Sequence, residues 1–371
     1  MSLDILLKGQ LAFLNEHYYV IAVSGQDEHL ETVANREGVK TCSVVMHRTI
    51  SPVKDLVSLV KLYFLFKKEK PQIVHSITPK AGLLSMIAAY FAGVPVRIHT
   101  FTGLVFPYKK GFLHHLLLLM DKILCRFATH VFPEGEGVKK DLKYYKVTKK
   151  PLNVIANGNV NGIDTNFFNP TSVSDNQEKD LKTQLNILET DFVFIFVGRL
   201  VADKGINELI EAFKEVYKEN KNCKLLLVGP FENELDPLNA NTLLEIKNNS
   251  SIVSVGFQND VKLYLSIANV FVFPSYREGF PNVVLQAGAM NLPCIVTNIS
   301  GSNEIITDEI NGLIVPTKNA YAISYAMKEL MNDENLLLQM KEKARNNIVA
   351  KYNQNIVWNA ILSEYKKASN D

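Results

Sequence analysis

Short runs with no polar face recur along this chain, and each is followed by a helical pattern. "FVFIFVG" (192–198), "CKLLLVG" (223–229), "NVFVFPS" (269–275) and "CIVTNIS" (294–300) are the clearest, and "VIAVSG" (20–25), "QIVHSI" (72–77) and "VRIHTFTG" (96–103) repeat the theme earlier. A strand that exposes neither face must be covered on both sides. A parallel sheet with helices above and below provides that cover. The intervening patterns carry helix signals: Ser51-Pro52 opens one and Pro71 ends it, and Gly38 and Gly93 close two others. The expected class is therefore α/β, with two Rossmann-like doubly wound domains facing a cleft.

The 371 residues suit two domains. "TNFFNPTSVSDNQEKDLKTQL" (165–185) is polar and interrupts the alternation, as a linker does. We expect a first domain over 1–168, a second over 169–350, and a last helix over 351–371 crossing back to the first. "LNVIANGNVNGID" (152–164) reads as the last strand and exit loop of the first domain. The opening "MSLDILLKGQLAFLNEH" (1–17) reads as one amphipathic helix. Doubly wound domains normally open with a strand, so a first strand is expected to be missing ahead of this helix; the alternative is a domain that begins with a helix.

Composition removes several classes. Forty basic residues against 38 acidic ones give a net charge of +2, without the basic excess of a duplex-binding protein, so no nucleic-acid partner is expected. Cys42, Cys125, Cys223 and Cys294 form no C-x-x-C and read as buried thiols of a reduced, cytoplasmic compartment. No apolar run reaches the ~18 residues of a membrane span, and no signal peptide is visible. No metal site is signalled, for there is no Asp-x-Asp, H-E-x-x-H or Cys/His cluster. Without G-x-G-x-x-G or a P-loop, neither a nicotinamide enzyme nor a P-loop NTPase is expected. No cofactor is expected.

Polar residues at strand ends are the candidates for function. In "FVGRLVADKG" (196–205) a strand ends at Gly198, and Arg199 and Lys204 follow before a helix near Gly205. Two cations beside a helix N-terminus make an anion site, and a guanidinium with an ammonium suits a diphosphate. Two solvated charges in an ordinary loop is the plainer reading. Gly229-Pro230 ends another strand and lets backbone approach a ligand, or only turns the chain. Phe257 and Gln258 end a third, where an aromatic ring and an amide suit a planar base. "REGFPNVVLQAGAM" (277–290) places Glu278 beside a helix entrance, with Pro281 in the first turn and Asn282 capping or lining it. The N–H groups around Gly279, Phe280 and Asn282 then point at a ligand, and Gln286 lies one turn on. The plainer reading is a capped helix with a solvated Glu278. In the first half, His99 stands in a strand, where a lone histidine is more often a core residue. His75 and Lys80 stand at the neighbouring strand end, and Thr102-Gly103 follow His99; together these are the polar candidates of the first half.

Taken together, "GRLVADKG", "REGFPNVVLQAGAMNLPCIVT" and "NEIITDEINGLIVP" resemble family-4 retaining glycosyltransferases of the GT-B fold. "SITPKAGLL" and "NGNVNGID" look similar to a bacterial subgroup that builds capsular or related surface polysaccharide. The resemblance implies a nucleotide-diphosphate-sugar donor, usually a UDP-sugar, on the second domain, an acceptor on the first, and no metal. It implies that Arg199 and Lys204 grip the diphosphate, that Glu278 and the amides at 280–282 meet the transferred sugar, and that His99 lies near its reacting side. His99, Glu278, Arg199 and Lys204 are thus the expected catalytic group. The family's second glutamate, on the ribose, is Gln286 here, which keeps an acceptor and loses a charge. The family's glycine-rich first loop has no counterpart.

The acceptor is expected to be a sugar, lipid-linked on a polyprenyl carrier. "YKKGFLHHLLLLMDKILCRFA" (108–128) pairs Lys109, Lys110, Lys122 and Arg126 with an apolar helix that suits a membrane surface, or else is a core helix with a basic entrance. Two other functions share the expected fold: a sugar-nucleotide epimerase and a non-catalytic nucleotide-sugar-binding subunit.

Overall fold

The computed structural model describes residues 2–46, 51–232 and 236–370, which fall into two compact units. Unit 1 comprises residues 1–162 and 354–371, and unit 2 comprises residues 163–353.

Unit 1 begins with α1 (Ser2–Leu6) and α2 (Gln10–Asn15), followed by β1 (Ile21–Ser24), α3 (Glu28–Glu37), β2 (Lys40–Ser43) and α4 (Pro52–Glu69). Then come β3 (Ile73–Ser76), α5 (Pro79–Ala92), β4 (Val96–Phe101), α6 (Gly111–Phe127), β5 (His130–Pro133) and α7 (Glu136–Tyr144). All its strands are parallel, but they form two sheets: β1-β2 and β3-β4-β5. Its buried apolar residues are likewise divided among separate clusters.

Unit 2 follows with α8 (Asp175–Gln184), β6 (Phe192–Val197), α9 (Ile206–Glu219), β7 (Cys223–Val228), α10 (Ala240–Asn248), β8 (Ile252–Ser254) and α11 (Lys262–Ser266). It continues through β9 (Val270–Phe273), α12 (Asn282–Ala289), β10 (Cys294–Thr297), α13 (Ser302–Ile305), β11 (Gly312–Val315), α14 (Ala320–Asn332) and α15 (Glu334–Tyr352). Its six strands make one parallel sheet in the order β11-β10-β9-β6-β7-β8. One continuous core runs through it, with Phe194, Ile195, Phe196, Val270 and Phe271 fully buried. The last helix, α16 (Gln354–Asn370), belongs to unit 1, where Tyr365 meets β3 and Trp358 meets the 159–162 turn.

Three local expectations are corrected. The opening stretch is two helices, not one. Gly9 between them sits at φ 81°, and a Cβ there would come within 2.8 Å of the Trp358 ring. The Glu37 carboxylate takes up the freed N–H groups of Gly9 (2.9 Å) and Ala12 (3.1 Å). The stretch 152–164 forms turns, not a strand. There the Asn159 carboxamide oxygen accepts from the N–H groups of Asn161 (3.0 Å) and Gly162 (2.8 Å), so a side chain replaces the ladder. Residues 163–168 lie with unit 2: Ile163 donates to the Tyr352 carbonyl (2.7 Å), and the Arg345 guanidinium donates to the carbonyls of Thr165 (2.9 Å) and Phe168 (2.8 Å).

Burial separates two phenylalanines. Phe213 on α9 is fully buried, whereas Phe64 on α4 is 64% exposed. In chemical denaturation Phe213→Ala is expected to cost about 3–5 kcal/mol and Phe64→Ala less than about 0.5 kcal/mol.

Candidate functional site

Because every strand of unit 2 is parallel, the C-terminal ends of β6, β7, β8 and β9 share one edge of its sheet. β6 and β9 are neighbours although two strands separate them in sequence, so the strand order reverses between them. Ligands of open doubly wound sheets bind at such a reversal, outside the strand ends.

The loops at that edge are closely fitted. β6 ends at Gly198 and β7 at Gly229, with φ of 151° and 148°. A Cβ at Gly229 would come within 1.8 Å of the Gly198 carbonyl oxygen, so the two turns touch through bare backbone. After β6 the chain makes a tight turn over Ala202–Lys204 and enters the 14-residue α9. After β9 it passes through Pro274–Pro281 and enters α12.

Lys204 and Glu278 meet across the reversal. The Lys204 ammonium donates to Glu278 Oε1 and sits 5.6 Å from the Phe273 ring centroid. The side chains of both are more than four-fifths buried. The Ser275 hydroxyl, itself fully buried, also donates to Glu278 Oε1 (2.9 Å). Arg199 lies at the same edge with its side chain 47% exposed and pairs with Glu232 (2.6 Å). The edge thus presents two cations, each paired with a carboxylate and the second more exposed, with Lys204 just before the N-terminus of α9.

The other expected donor residues are placed as follows. Phe257 is 68% exposed in the loop after β8. The Gln258 carboxamide bonds its own loop, donating to the Val255 carbonyl (2.9 Å). The Phe280 side chain is buried 5.6 Å from the Tyr352 ring, so only its backbone can face a ligand. Pro281 caps α12, Asn282 is its first residue, and Gln286 follows one turn later, partly exposed.

Sequence reasoning missed a layer behind this edge. Tyr276 donates to Glu208 (2.6 Å), and Arg277 pairs with Asp203 (2.8 Å). The Tyr276 N–H donates to the Asp203 carbonyl (2.9 Å). Burial and the Glu208 carboxylate push the Tyr276 phenol well above its ordinary pKa. These contacts tie the turn after β6 to the loop after β9 and hold Lys204 opposite Glu278. The adjacency of Tyr276 and Arg277 to Glu278 was the available signal. Among the described residues, no cluster of His, Cys, Asp and Glu has the makings of a metal site.

Unit 1 carries the remaining candidates. His75 on β3 is engaged at both ring nitrogens, with Tyr365 (2.6 Å) and Thr100 (2.8 Å), and burial lowers its pKa to about 4. Lys80, in the first turn of α5, pairs with Asp55 (2.7 Å). Thr102 donates to the Ile77 carbonyl (3.1 Å), and Gly103 follows it. His99 lies inside the sheet. Its ring is fully buried, bonded to Ser76 (2.8 Å) and in edge contact with Phe101 at 4.5 Å between centroids. Strand alternation turns it to the face of the sheet opposite His75, and its buried Nε2 has no hydrogen-bond partner. Burial, reinforced by nearby His75, lowers its pKa to about 3.

Two units with parallel sheets, one of them reversing its strand order, are the architecture of the GT-B fold. Residues 7–165 match the model described as Glycosyltransferase Family 4, and residues 177–347 match Glycosyl transferases group 1. The capsular polysaccharide biosynthesis glycosyltransferase CapM of Staphylococcus aureus is 35% identical over 97% of this chain and 93% of its own length. The Escherichia coli UDP-Gal:alpha-D-GlcNAc-diphosphoundecaprenol alpha-1,3-galactosyltransferase is 32% identical over 82% of this chain and 78% of its own. The Anabaena HepE structure in complex with UDP-glucose superposes with a TM-score of 0.81 at 16% identity, over 98% of this chain and 97% of its own. This chain belongs to the family-4 glycosyltransferases.

The buried neutral His99 gives a pH prediction. Its folded pKa lies below the unfolded value of about 6.5, so below that pH the unfolded chain binds a proton that the folded chain does not. Stability is fully present above about pH 6.5 and falls as pH drops towards 3, by up to about 1.4 kcal/mol per pH unit. Denaturant unfolding from pH 7 to 4.5 is expected to show a shallower decline for His99→Phe.

Proposed function

We propose that this chain transfers a hexose or N-acetylhexosamine from a UDP-sugar to a lipid-linked sugar acceptor in surface polysaccharide synthesis, with retention at the anomeric carbon. The observation that carries this reading is the Lys204–Glu278 pair at the strand-order reversal, with Arg199 at the same edge. The printed functions of the relatives, capsule synthesis and galactosyl transfer onto a diphosphoundecaprenol-linked sugar, support it.

In this reading the donor lies along the C-terminal edge of unit 2. Arg199, Lys204 and the N-terminus of α9 take the diphosphate. Glu278 and the N–H groups of Gly279, Phe280 and Asn282 take the hydroxyls of the transferred sugar, and Gln286 takes the ribose. Gly198, Gly229 and Pro230 let backbone approach, while Phe257 offers a face to the base beside Gln258. When the anomeric C–O bond breaks, its electron pair leaves with the diphosphate. The two cations and the helix dipole stabilise that charge. The leaving phosphate oxygen then accepts the proton of the attacking acceptor hydroxyl on the same face, and Glu278 orients the sugar without attacking it. The acceptor is assigned to unit 1, at the strand ends carrying Lys80, Thr102 and Gly103. Fully buried, His99 has no part in the reaction, and His75 serves to position Thr100 and Tyr365.

A panel of UDP-sugars with a lipid-linked acceptor tests this. Arg199→Ala and Lys204→Ala are each expected to lower kcat about 10²–10³-fold, and NMR of the product is expected to show the anomeric configuration of the donor. An inverted product, or unchanged turnover in both variants, overturns the mechanism. Isomerisation of the UDP-sugar would make the chain an epimerase, and binding without turnover a nucleotide-sugar-binding subunit.

A lipid acceptor also calls for a membrane surface. Val53, Leu56, Val57, Val60 and Phe64 line one face of α4, and all are exposed. Lys54, Lys61 and Lys68 lie on the same helix, whose acidic residues Asp55 and Glu69 are already paired with Lys80 and Lys40. On α6, Phe112 is 80% exposed next to Lys109 and Lys110. No helix among the described residues is long and apolar enough to cross a membrane. Exposed apolar rows with a basic surround suit the interface of anionic lipids. In flotation with anionic vesicles at low salt the chain is expected to co-float, and Val57→Glu with Phe64→Glu to abolish it.

A further inference from the structure

Ser275 follows β9 by two residues and is fully buried. Its hydroxyl lies beside three acceptors: Glu278 Oε1 at 2.9 Å, the Arg277 carbonyl at 3.2 Å and the Asp203 carbonyl at 3.4 Å. A hydroxyl has one proton to give. The carboxylate oxygen is the nearest of the three and the charged one, and a charge-assisted hydrogen bond is roughly twice as strong as a neutral one. The Asp203 carbonyl already accepts from the Tyr276 N–H (2.9 Å). The proton therefore goes to Glu278. The backbone at Ser275 is fixed as well, because the Thr297 hydroxyl, fully buried at the end of β10, donates to the Ser275 carbonyl.

The effect on Glu278 is one-sided. Its Oε1 takes both donors, the Lys204 ammonium and the Ser275 hydroxyl. Among the described residues Oε2 takes no hydrogen bond, and unlike the enclosed oxygens Asp203 Oδ1 and Glu208 Oε2 it is open to solvent. Lys204 alone does not fix the carboxylate plane, for an ammonium is a point charge with rotatable donors on a flexible four-carbon stem. Ser275 has a single side-chain torsion on a tied, buried backbone, and it supplies the second, directional contact.

We infer that Ser275 is a positioning residue for the transferred sugar: it locks Oε1 of Glu278, so that Oε2 alone faces the donor and accepts one of its hydroxyls. This rests on the proposed reading, in which a nucleotide-diphosphate sugar lies along the same edge. Holding the carboxylate still before the donor arrives removes an ordering cost from binding. It also makes a filter. A carboxylate oxygen only accepts, so the group it meets must bring a proton. A sugar with a hydroxyl at that position satisfies Oε2. One with fluorine there brings no proton, leaves the oxygen desolvated and unpaired, and is rejected. UDP without a sugar does not reach Oε2 and is indifferent to where that oxygen points.

Calorimetric binding to the full chain tests this, with UDP, with UDP-glucose, UDP-galactose and their N-acetylhexosamine counterparts, and with donors in which single sugar hydroxyls are replaced by fluorine. The variants are Ser275→Ala, Glu278→Ala and the two combined. Ser275→Ala is expected to weaken binding of the preferred UDP-sugar about tenfold and of UDP less than about twofold, and to add nothing to the loss in Glu278→Ala. The fluorinated donor that the wild type rejects most strongly is expected to be rejected about tenfold less by Ser275→Ala. Equal losses for UDP-sugar and UDP, or losses that add in the double variant, overturn the inference, since Ser275 would then only support the loop. A crystal structure of unliganded Ser275→Ala gives a readout that needs no donor: the Glu278 carboxylate is expected to turn, and an unmoved carboxylate overturns the inference. Failure of the wild type to bind any UDP-sugar would instead overturn the donor reading, and the unliganded structure still decides the role of Ser275.

Discussion

A cation and a carboxylate hold each other where the unit 2 sheet reverses its strand order. That contact depends on the two glycines that let the β6 and β7 turns touch, and on the Tyr276–Glu208 and Arg277–Asp203 contacts behind it. Without a ligand, Lys204 is neutralised by Glu278 and Arg199 by Glu232. On the proposed reading, a diphosphate arriving at this edge would compete with carboxylates already in place. An exposed pair such as Arg199–Glu232 is worth at most about 1 kcal/mol and yields readily. The more buried Lys204–Glu278 pair keeps its geometry and leaves the ammonium other donor protons for a phosphate.

Much of this was legible in the sequence because parallel strands print a simple signature. Runs such as 192–197 and 223–228 have no polar face, so their identity as buried strands follows from burial energetics alone. Strand ends then follow from where glycine and charge begin, which located Gly198, Arg199, Gly229 and Glu278 on one edge. The same property hid the fate of His99. Where both faces of a strand are buried, no alternation shows which way a polar residue points or whether it meets solvent. The partners of Arg199 and Lys204 lie 33 and 74 residues away, and no local pattern encodes such pairings.

Unit 1 shows the limit from the other side. Alternation of strands and helices was visible, but not that the sheet divides, because strand order is set by contacts between distant segments. The strand expected in 152–164 rested on the apolar spacing of "LNVI" (152–155), but no strand forms there, and in the turn that follows the Asn159 side chain satisfies the backbone itself. The single helix expected at the start is broken at Gly9, where the Trp358 ring leaves no room for a side chain.

That tryptophan sits on α16, some 190 residues beyond the rest of unit 1. Its indole N–H bonds Asn161, and Tyr365 on the same helix bonds His75. On the ribosome, then, the part made first is finished last. All of unit 2 leaves the exit tunnel and has the chance to collapse while the earlier segment still awaits its closing helix. Loss of the final eighteen residues would strand the amino-terminal half with an open flank, while leaving the later-made half chemically whole.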